Sequence, residues 1–510
     1  MPKKVLSAAI VGLDAKLVQV EIDVSHGLRS FTIVGLPDKA VEESKERIES
    51  AIKSSKLLSP YNRTFRVLVN LAPADLKKEG SLYDLPIALA FLLASKQTDF
   101  NAEDKIFLGE LSLDGNLRKI KGALSFALMA KNMGMKEVIL PKQNAVEAAL
   151  IQGIKVIGVE SLSEALSYLE NRKMIEPAIH NELPTTHYSL QTEIDIGWIK
   201  GQEYAKRALE VSAAGGHNLF FFGPPGGGKS LLAKSLPSIL PPLTIEESIE
   251  VTKIYSVAGL LQEHQNLIIQ RPFRSPHHTL SEIALIGGGN PIRPGEMTLA
   301  HRGVLFLDEF PEFHRDALES LRQPIEDGKI TVSRAKNTFT FPSQFTLIAA
   351  SNPCPCGYFK NPEKQCSCTN SQISMYRRKL SGPLMDRIDI FIEVPAVKYE
   401  KLASDSSEKQ SGALRQRIEE ARSIQKERFK ETSGRVILLN SEMQIPEIKK
   451  YCQHGQDSKD LLKKYVDSGK LSARGYHRVL KVAKTIADLA KSENIQKEHI
   501  AEALMYRLRD

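Results

Sequence analysis

With 510 residues, of which 42% are hydrophobic and 25% charged, the chain has the composition of an ordinary globular protein of two to four domains. No apolar run approaches the roughly 20 residues of a membrane span, and Met1-Pro2-Lys3-Lys4-Val5 lacks the apolar core and cleavage site of a secretory leader. These features give the expectation of a cytoplasmic chain with no membrane partner, while a net charge of +8 admits a polyanionic partner without requiring one.

Residues 1–170 alternate strand-like runs (Leu17–Val24, Ser30–Val34, Arg66–Leu71, Val138–Leu140 and Val156–Val159) with helical stretches at Asp38–Ser54 and Leu85–Ala94. That alternation predicts an α/β or α+β domain. A polar, proline-containing stretch at 171–189 reads as a linker. Residues 190–397 carry strand-turn-helix units and predict an α/β domain with a parallel sheet and helices on both faces. From 398 to 510 the chain is charged and helix-forming, with amphipathic patterns at Gly412–Phe429, Ser458–Tyr465 and Arg474–Ala490.

The second region opens on its most specific motif. Asn218–Phe222 reads as a buried strand that breaks into Gly223-Pro224-Pro225-Gly226-Gly227-Gly228-Lys229-Ser230 and then a helix. This is the phosphate-binding P-loop pattern. Its glycines let backbone N–H groups turn toward phosphate oxygens, and the helix N-terminus adds positive potential. Lys229 is expected to reach the β- and γ-phosphates of ATP, and Ser230 to ligate Mg2+.

Val304-Leu305-Phe306-Leu307-Asp308-Glu309 is an apolar strand ending in two carboxylates. Beside a P-loop it reads as the Walker B element, Asp308 serving the Mg2+ shell and Glu309 polarising the attacking water. A further strand, Phe345–Ala350, leads to Asn352, suited to orient that water as the sensor 1 residue. Arg387, among the turn residues Leu380–Asp389, is the candidate arginine finger; the alternative is a salt bridge to Asp386 or Asp389. Arg474, at the start of a helix, is the candidate sensor 2, with Arg478 one turn later competing for the role.

Four of the five cysteines form C-x-C-x9-C-x-C: Cys354, Cys356, Cys366 and Cys368. So few in so long a chain exclude a disulfide framework. Four within fifteen residues, 354–368, suggest a tetrahedral thiolate site for Zn2+, with free or redox-active thiols as the alternative. Cys452 stands apart as an inert residue.

Together these residues resemble the AAA+ ATPases, in particular the magnesium-chelatase/MCM-like branch and, within it, the bacterial ComM/YifB family. The resemblance rests on Arg271-Pro272-Phe273-Arg274-Ser275-Pro276-His277-His278-Thr279, on Gly295-Glu296 through His301-Arg302-Gly303 to Asp308-Glu309, on Asn352-Pro353-Cys354-Pro355-Cys356-Gly357, and on Gly382–Asp389. It covers essentially the whole chain. It implies a homo-hexameric ring that uses ATP to move on DNA, a helicase promoting branch migration while transforming DNA is integrated by homologous recombination, alongside recombination proteins. It also implies a Lon-protease-like α+β domain at the N-terminus and an α-helical lid at the C-terminus. Where Lon proteases carry a Ser/Lys dyad, the best register puts Asp84 and Leu124, with Ser81 and Lys121 nearby, so the domain is expected to be catalytically inactive.

Within that resemblance, Gly328–Phe341 reads as a β-hairpin pointing into the ring's pore, with Arg334 and Lys336 at its tip as candidate DNA phosphate contacts. Ile283–Asn290 is similar to the helix-2 insert of the same branch. The cysteine cluster either braces a surface protrusion or touches DNA. Two other functions share the ATPase core: the motor subunit of a metal chelatase, and a remodeller or assembly scaffold acting on proteins.

Overall fold

The computed structural model describes residues 2–61, 64–179, 194–262, 265–289, 292–334, 337–361, 364–380, 382–397, 409–430 and 437–507. The chain forms two compact units. The first comprises Met1–Tyr188 and Ser248–Ile268; the second comprises Ser189–Glu247 and Ile269–Asp510.

The first unit is built on a mixed seven-stranded sheet. Its strands are β1 (Lys3–Val11), β2 (Asp14–His26), β3 (Ser30–Val34), β4 (Phe65–Ala72) and β5 (Lys105–Phe107), followed by β8 (Glu137–Pro141) and β9 (Lys155–Val159). Between these two groups, β6 (Glu110–Leu111) and β7 (Leu117–Arg118) pair with each other. The spatial order is β3-β4-β2-β1-β5-β8-β9. β1 and β2 form an antiparallel hairpin, β2 pairs antiparallel with β4, and the remaining neighbours are parallel. Alternation along β4 turns Phe65, Val67, Val69 and Leu71 into the core and leaves Arg66 and Leu68 outside. The helix Asp84–Ala94 (DLPIALAFLLA) is apolar all round and buried for nearly its whole length, packed on β1 and β2.

On sequence, residues 248–268 fall within the 190–397 region, yet they pack with the first unit. The Ser256 hydroxyl accepts from the Gly122 backbone N–H at 3.0 Å and donates to buried Glu147. Thr252 accepts from the Ile268 N–H at 3.0 Å, closing this excursion on itself.

The second unit carries a five-stranded sheet. Its strands are β10 (Leu219–Phe222), β11 (Phe273–Arg274), β14 (Val304–Leu307), β17 (Thr346–Ser351) and β18 (Ile390–Glu393), with β12 (Gly287–Gly288) and β13 (Arg293–Pro294) forming a small ribbon and β15 (Lys329–Arg334) and β16 (Asn337–Pro342) a hairpin. The order is β11-β14-β17-β10-β18, every pair parallel. A parallel sheet is covered on both faces, which is why β10, β14 and β17 are near-continuous apolar runs. Leu219, Phe221, Val304, Phe306, Ile348, Ala350, Ile390 and Ile392 all enter one core with the helices Glu203–Gly215 and Lys229–Ile239.

The C-terminal helices Ser411–Phe429, Ile445–Tyr451, Gln456–Asp467, Ala473–Leu489 and Lys497–Met505 contribute to the same core. In Ala473–Leu489 the buried positions Val479, Val482, Ala483, Ile486 and Ala487 follow helical spacing. Among the described residues no helix is long and apolar enough to cross a membrane.

Candidate nucleotide site

β10 ends at Phe222 and the loop Gly223–Gly228 feeds directly into the helix Lys229–Ile239. The glycines divide into two kinds. A Cβ on Gly223 or Gly227 would stand 2.2 or 2.9 Å from the Val394 carbonyl oxygen, so these two let the loop pack against the end of β18. Gly226 and Gly228 have φ of 79° and 86°, and a Cβ there would meet nothing within 4 Å. They curve the backbone and keep its open face bare of side chains, the form a polyphosphate needs. The Gln202 amide clamps the loop from outside, donating to the carbonyls of Gly227 at 3.3 Å and Pro395 at 2.6 Å.

The Lys229 ammonium is nearly buried and donates to the carbonyls of Gly223 (2.7 Å) and Pro224 (2.8 Å) and to Asn352 Oδ1 (3.0 Å). Burial pushes its pKa below the ordinary value, against the pull of Asp308. Because β17 lies between β10 and β14, Asn352 is delivered between the two Walker elements. The Ser230 hydroxyl stands 2.5 Å from Asp308 Oδ2. Two hard oxygen donors side by side at a phosphate-binding loop fit Mg2+.

Glu309 adopts φ of 49°, a left-handed backbone rarely taken by a residue with a Cβ, and its carboxylate is half exposed. It has a partner that sequence reasoning missed: His278 Nδ1 lies 3.2 Å from Glu309 Oε2. The His278 ring is set edge-on against Phe313 and close to His277, their centroids 6.5 and 4.1 Å away. His278 belongs to the quoted 271–279 motif, but nothing local in that motif points to residue 309. Gln202 likewise carries no sequence signal beyond its nearness to the second region's start.

Arg387 lies elsewhere. β18 runs parallel to β10, and Arg387 precedes its first residue, whereas the P-loop leaves β10 at the opposite end. A four-residue strand separates the two ends by about 13 Å. The guanidinium pairs with Glu326 at 2.8 Å and donates to the Pro383 carbonyl at 2.6 Å. The expected alternative pairing with Asp386 or Asp389 is replaced by Glu326, because the turn aims the side chain toward the helix Arg322–Asp327.

Arg474 and Arg478 separate cleanly. Arg478 bonds buried Asp389 at 2.5 Å, and Asp389 also accepts from the Asn218 N–H at 3.0 Å. Burial opposes ionisation of Asp389, but Arg478 and His217 outweigh it and hold the carboxyl far below the ordinary range. Arg478 is therefore committed to the sheet's base, and Arg474, one turn earlier, is exposed. Of the hairpin's candidate DNA contacts, the backbone alone of Arg334 is described, paired with Asn337, and Lys336 lies outside the described residues. The helix-2 candidate forms the helix Glu282–Ile286 followed by β12, with Asn290 outside the described residues.

The four cysteines converge, their Sγ atoms all within 4.8 Å of one another. Cys354–Cys356, Cys356–Cys366 and Cys354–Cys366 stand at 3.4, 3.5 and 3.7 Å. Four thiolates at about 2.3 Å from a zinc ion would have edges of about 3.8 Å, so the donor set fits. Backbone N–H groups of Phe359 and Cys356 donate to Cys354 Sγ (3.3 Å) and Cys368 Sγ (3.4 Å). Hydrogen bonds from the N–H groups of Tyr358 and Ser367 draw the Cys356 thiol below its ordinary value.

In the first unit, Asp84 is fully buried and fastened, accepting from Arg47 Nε (2.7 Å), Arg47 Nη2 (3.0 Å) and the Leu111 N–H (3.2 Å). Burial pushes its carboxyl up, to about 7, even with Arg47 pulling the other way. Leu124 is buried and gives its N–H to Glu147 at 3.1 Å, while the Ser81 hydroxyl is bonded to Glu110.

Residues 195–402 match the family description "Magnesium chelatase, subunit ChlI", residues 20–144 "Subunit ChlI of Mg-chelatase", and residues 408–507 "Magnesium chelatase, subunit ChlI C-terminal". The chain is 41% identical over 508 residues to competence protein ComM of Haemophilus influenzae, covering 99% of this chain and 97% of that one. It belongs to the ComM/YifB family of magnesium chelatase-like AAA+ ATPases. YifB of Escherichia coli is 41% identical over 505 residues, covering 98% of this chain and 96% of its own. A Lon protease of Lachnoclostridium phytofermentans is 25% identical over 160 residues, 30% of this ComM/YifB chain and 20% of that protein. Membership of the ComM/YifB family makes the chain an ATPase of the AAA+ class and implies ATP and Mg2+ at the P-loop.

Proposed function

We propose that this ComM/YifB chain is the subunit of a homo-hexameric DNA motor that promotes branch migration during homologous recombination of transforming DNA. The observation that carries the reading is the separation of Arg387 from the P-loop of its own chain. Phosphoryl transfer needs a cation against the charge that develops on the γ-phosphate. An arginine at the opposite end of the neighbouring strand from the P-loop serves that need when it comes from a neighbouring copy. Arg474 is exposed, four residues before the Asp389-bound Arg478.

In this reading Lys229 neutralises β- and γ-phosphate oxygens, and Ser230 and Asp308 hold Mg2+, which screens the phosphate charge. The Glu309 carboxylate accepts a hydrogen bond from the attacking water and polarises it, Asn352 positions that water, and Arg387 of the adjoining copy meets the transition state. The β15–β16 hairpin, carrying Arg334 and Lys336, grips the DNA backbone without reading sequence. Cys354, Cys356, Cys366 and Cys368 would hold zinc as a structural site. The Lon-like unit contributes no peptidase, since the nucleophile position holds a carboxylate locked to Arg47.

Purified protein is expected to hydrolyse ATP faster with forked or four-way-junction DNA and to displace strands. Glu309→Gln should bind ATP yet turn it over at least 100-fold more slowly. Absence of DNA binding and of stimulation at low salt would overturn the motor reading in favour of a protein remodeller or scaffold. The ChlI descriptions alone would equally suit a chelatase motor; the full-length likeness to a competence protein favours DNA.

A further inference from the structure

The thiolate cluster and the P-loop touch. Gly357, between the two halves of C-x-C-x9-C-x-C, is buried, with φ of 84°. A Cβ on it would lie 2.6 Å from Pro225 Cδ of the P-loop and 3.8 Å from Asn352 Cγ. Asn352, which bonds Lys229 at 3.0 Å, is two residues before Cys354. On the other side of the cluster, Thr369 follows Cys368 and caps the helix Asn370–Lys379, whose Tyr376 hydrogen-bonds with Ser351 and with the Asn352 backbone. The cluster is thus tied to the nucleotide site at Pro225, through the chain to Asn352, and again through Tyr376.

Little else holds the segment in shape. Among the described residues from Cys354 to Cys368, Cys354 and Gly357 are the buried ones. A segment with so small a core takes its form from a metal or another cross-link. Four thiols turned inward supply only weak S–H contacts, whereas one zinc ion would fix all four at once. Outside the cluster, the Arg377 guanidinium lies 4.7 Å over the Phe359 ring, pinning the loop to the helix that bears Tyr376.

We propose that the four-cysteine site governs the nucleotide site: zinc held there sets the positions of Pro225 and Asn352, so the metal-loaded chain binds ATP and the metal-stripped chain binds it poorly. This rests on the nucleotide-site reading of Gly223–Ser230 and gives the cluster a task there. Neither readout needs DNA, so the coupling and the motor reading fail separately.

The test uses the full chain, with metal content by mass spectrometry and affinity for a fluorescent ATP analogue in Mg2+. The untreated chain is expected to carry one zinc and to bind nucleotide, which also serves as the control for the nucleotide site itself. Stripping with a chelator under reducing conditions should weaken nucleotide affinity about ten-fold or more, and added zinc, but not added magnesium, should restore it. Cys366→Ser should behave as the stripped protein. If stripping or Cys366→Ser unfolds the second unit, Gly357→Ala decides: it should keep its zinc and lose about ten-fold in affinity, because the new Cβ strikes Pro225. A zinc-free, folded chain with unchanged affinity, a chain that takes up no zinc, or a zinc-loaded Gly357→Ala with wild-type affinity would each overturn the proposal.

Discussion

In the proposed motor, Glu309 is the residue that polarises the attacking water. Its left-handed backbone stores strain of roughly 1–2 kcal/mol, and the turn it makes carries the chain from β14 toward Phe313. Strain of that kind persists where neighbours over-determine the conformation, and His278 at 3.2 Å and the Asp308 carboxylate, which accepts the Glu309 N–H at 2.9 Å, are those neighbours. His278→Ala should lower kcat for ATP about ten-fold with little change in KM, and His278→Asn should recover part of it by restoring a polar partner. Steady-state hydrolysis at saturating ATP checks this. As patterns, Gly223–Ser230 and Asp308-Glu309 were legible in sequence because their residues are adjacent. His278, Gln202 and the Glu326 partner of Arg387 were not, because their contacts join residues 31, 25 and 61 positions apart along the chain.

At the scale of elements, the base of the parallel sheet is held by charge as well as by packing. Asp389 fastens the start of β18 to Asn218 before β10 and to Arg478 in the helix Ala473–Leu489. Asp389→Asn should destabilise the second unit by about 3–5 kcal/mol at neutral pH. Because the folded carboxyl sits below its unfolded value of about 3.9, this contribution is complete above that pH and is lost as pH falls further. Wild type and variant should therefore converge in thermal stability on acidification below pH of about 4. The β15–β16 hairpin is the element proposed to meet DNA. Arg334→Ala with Lys336→Ala should weaken DNA binding across all sequences and reduce the dependence of log affinity on log salt by about 2, read by fluorescence anisotropy.

Elements differed in how far sequence revealed them. β10, β14 and β17 were plain, since buried parallel strands are uninterrupted apolar runs flanked by turns. β1 was missed, its alanines and serine giving no clear period. The expected helix Asp38–Ser54 is two helices, Lys39–Glu42 and Ser44–Ser54, joined at Glu43, which caps the first and starts the second.

For the whole molecule, local pattern gave the fold class but not which segments share a core. Residues 248–268 join the first unit through Ser256 and Glu147, groups that no periodicity singles out. The same limit applies to the proposed ATP site, whose candidate arginine, Arg387, lies at the opposite end of the sheet from the P-loop. The most direct test mixes two inactive proteins, Lys229→Ala and Arg387→Ala. Each should be at least about 1,000-fold impaired alone. Mixed rings would join the intact P-loop of one to the intact arginine of the other, so ATP hydrolysis should reappear on mixing, in proportion to the number of such junctions. A mixture as inactive as its components, under conditions where the two copies are shown to co-assemble, would contradict a site shared between subunits.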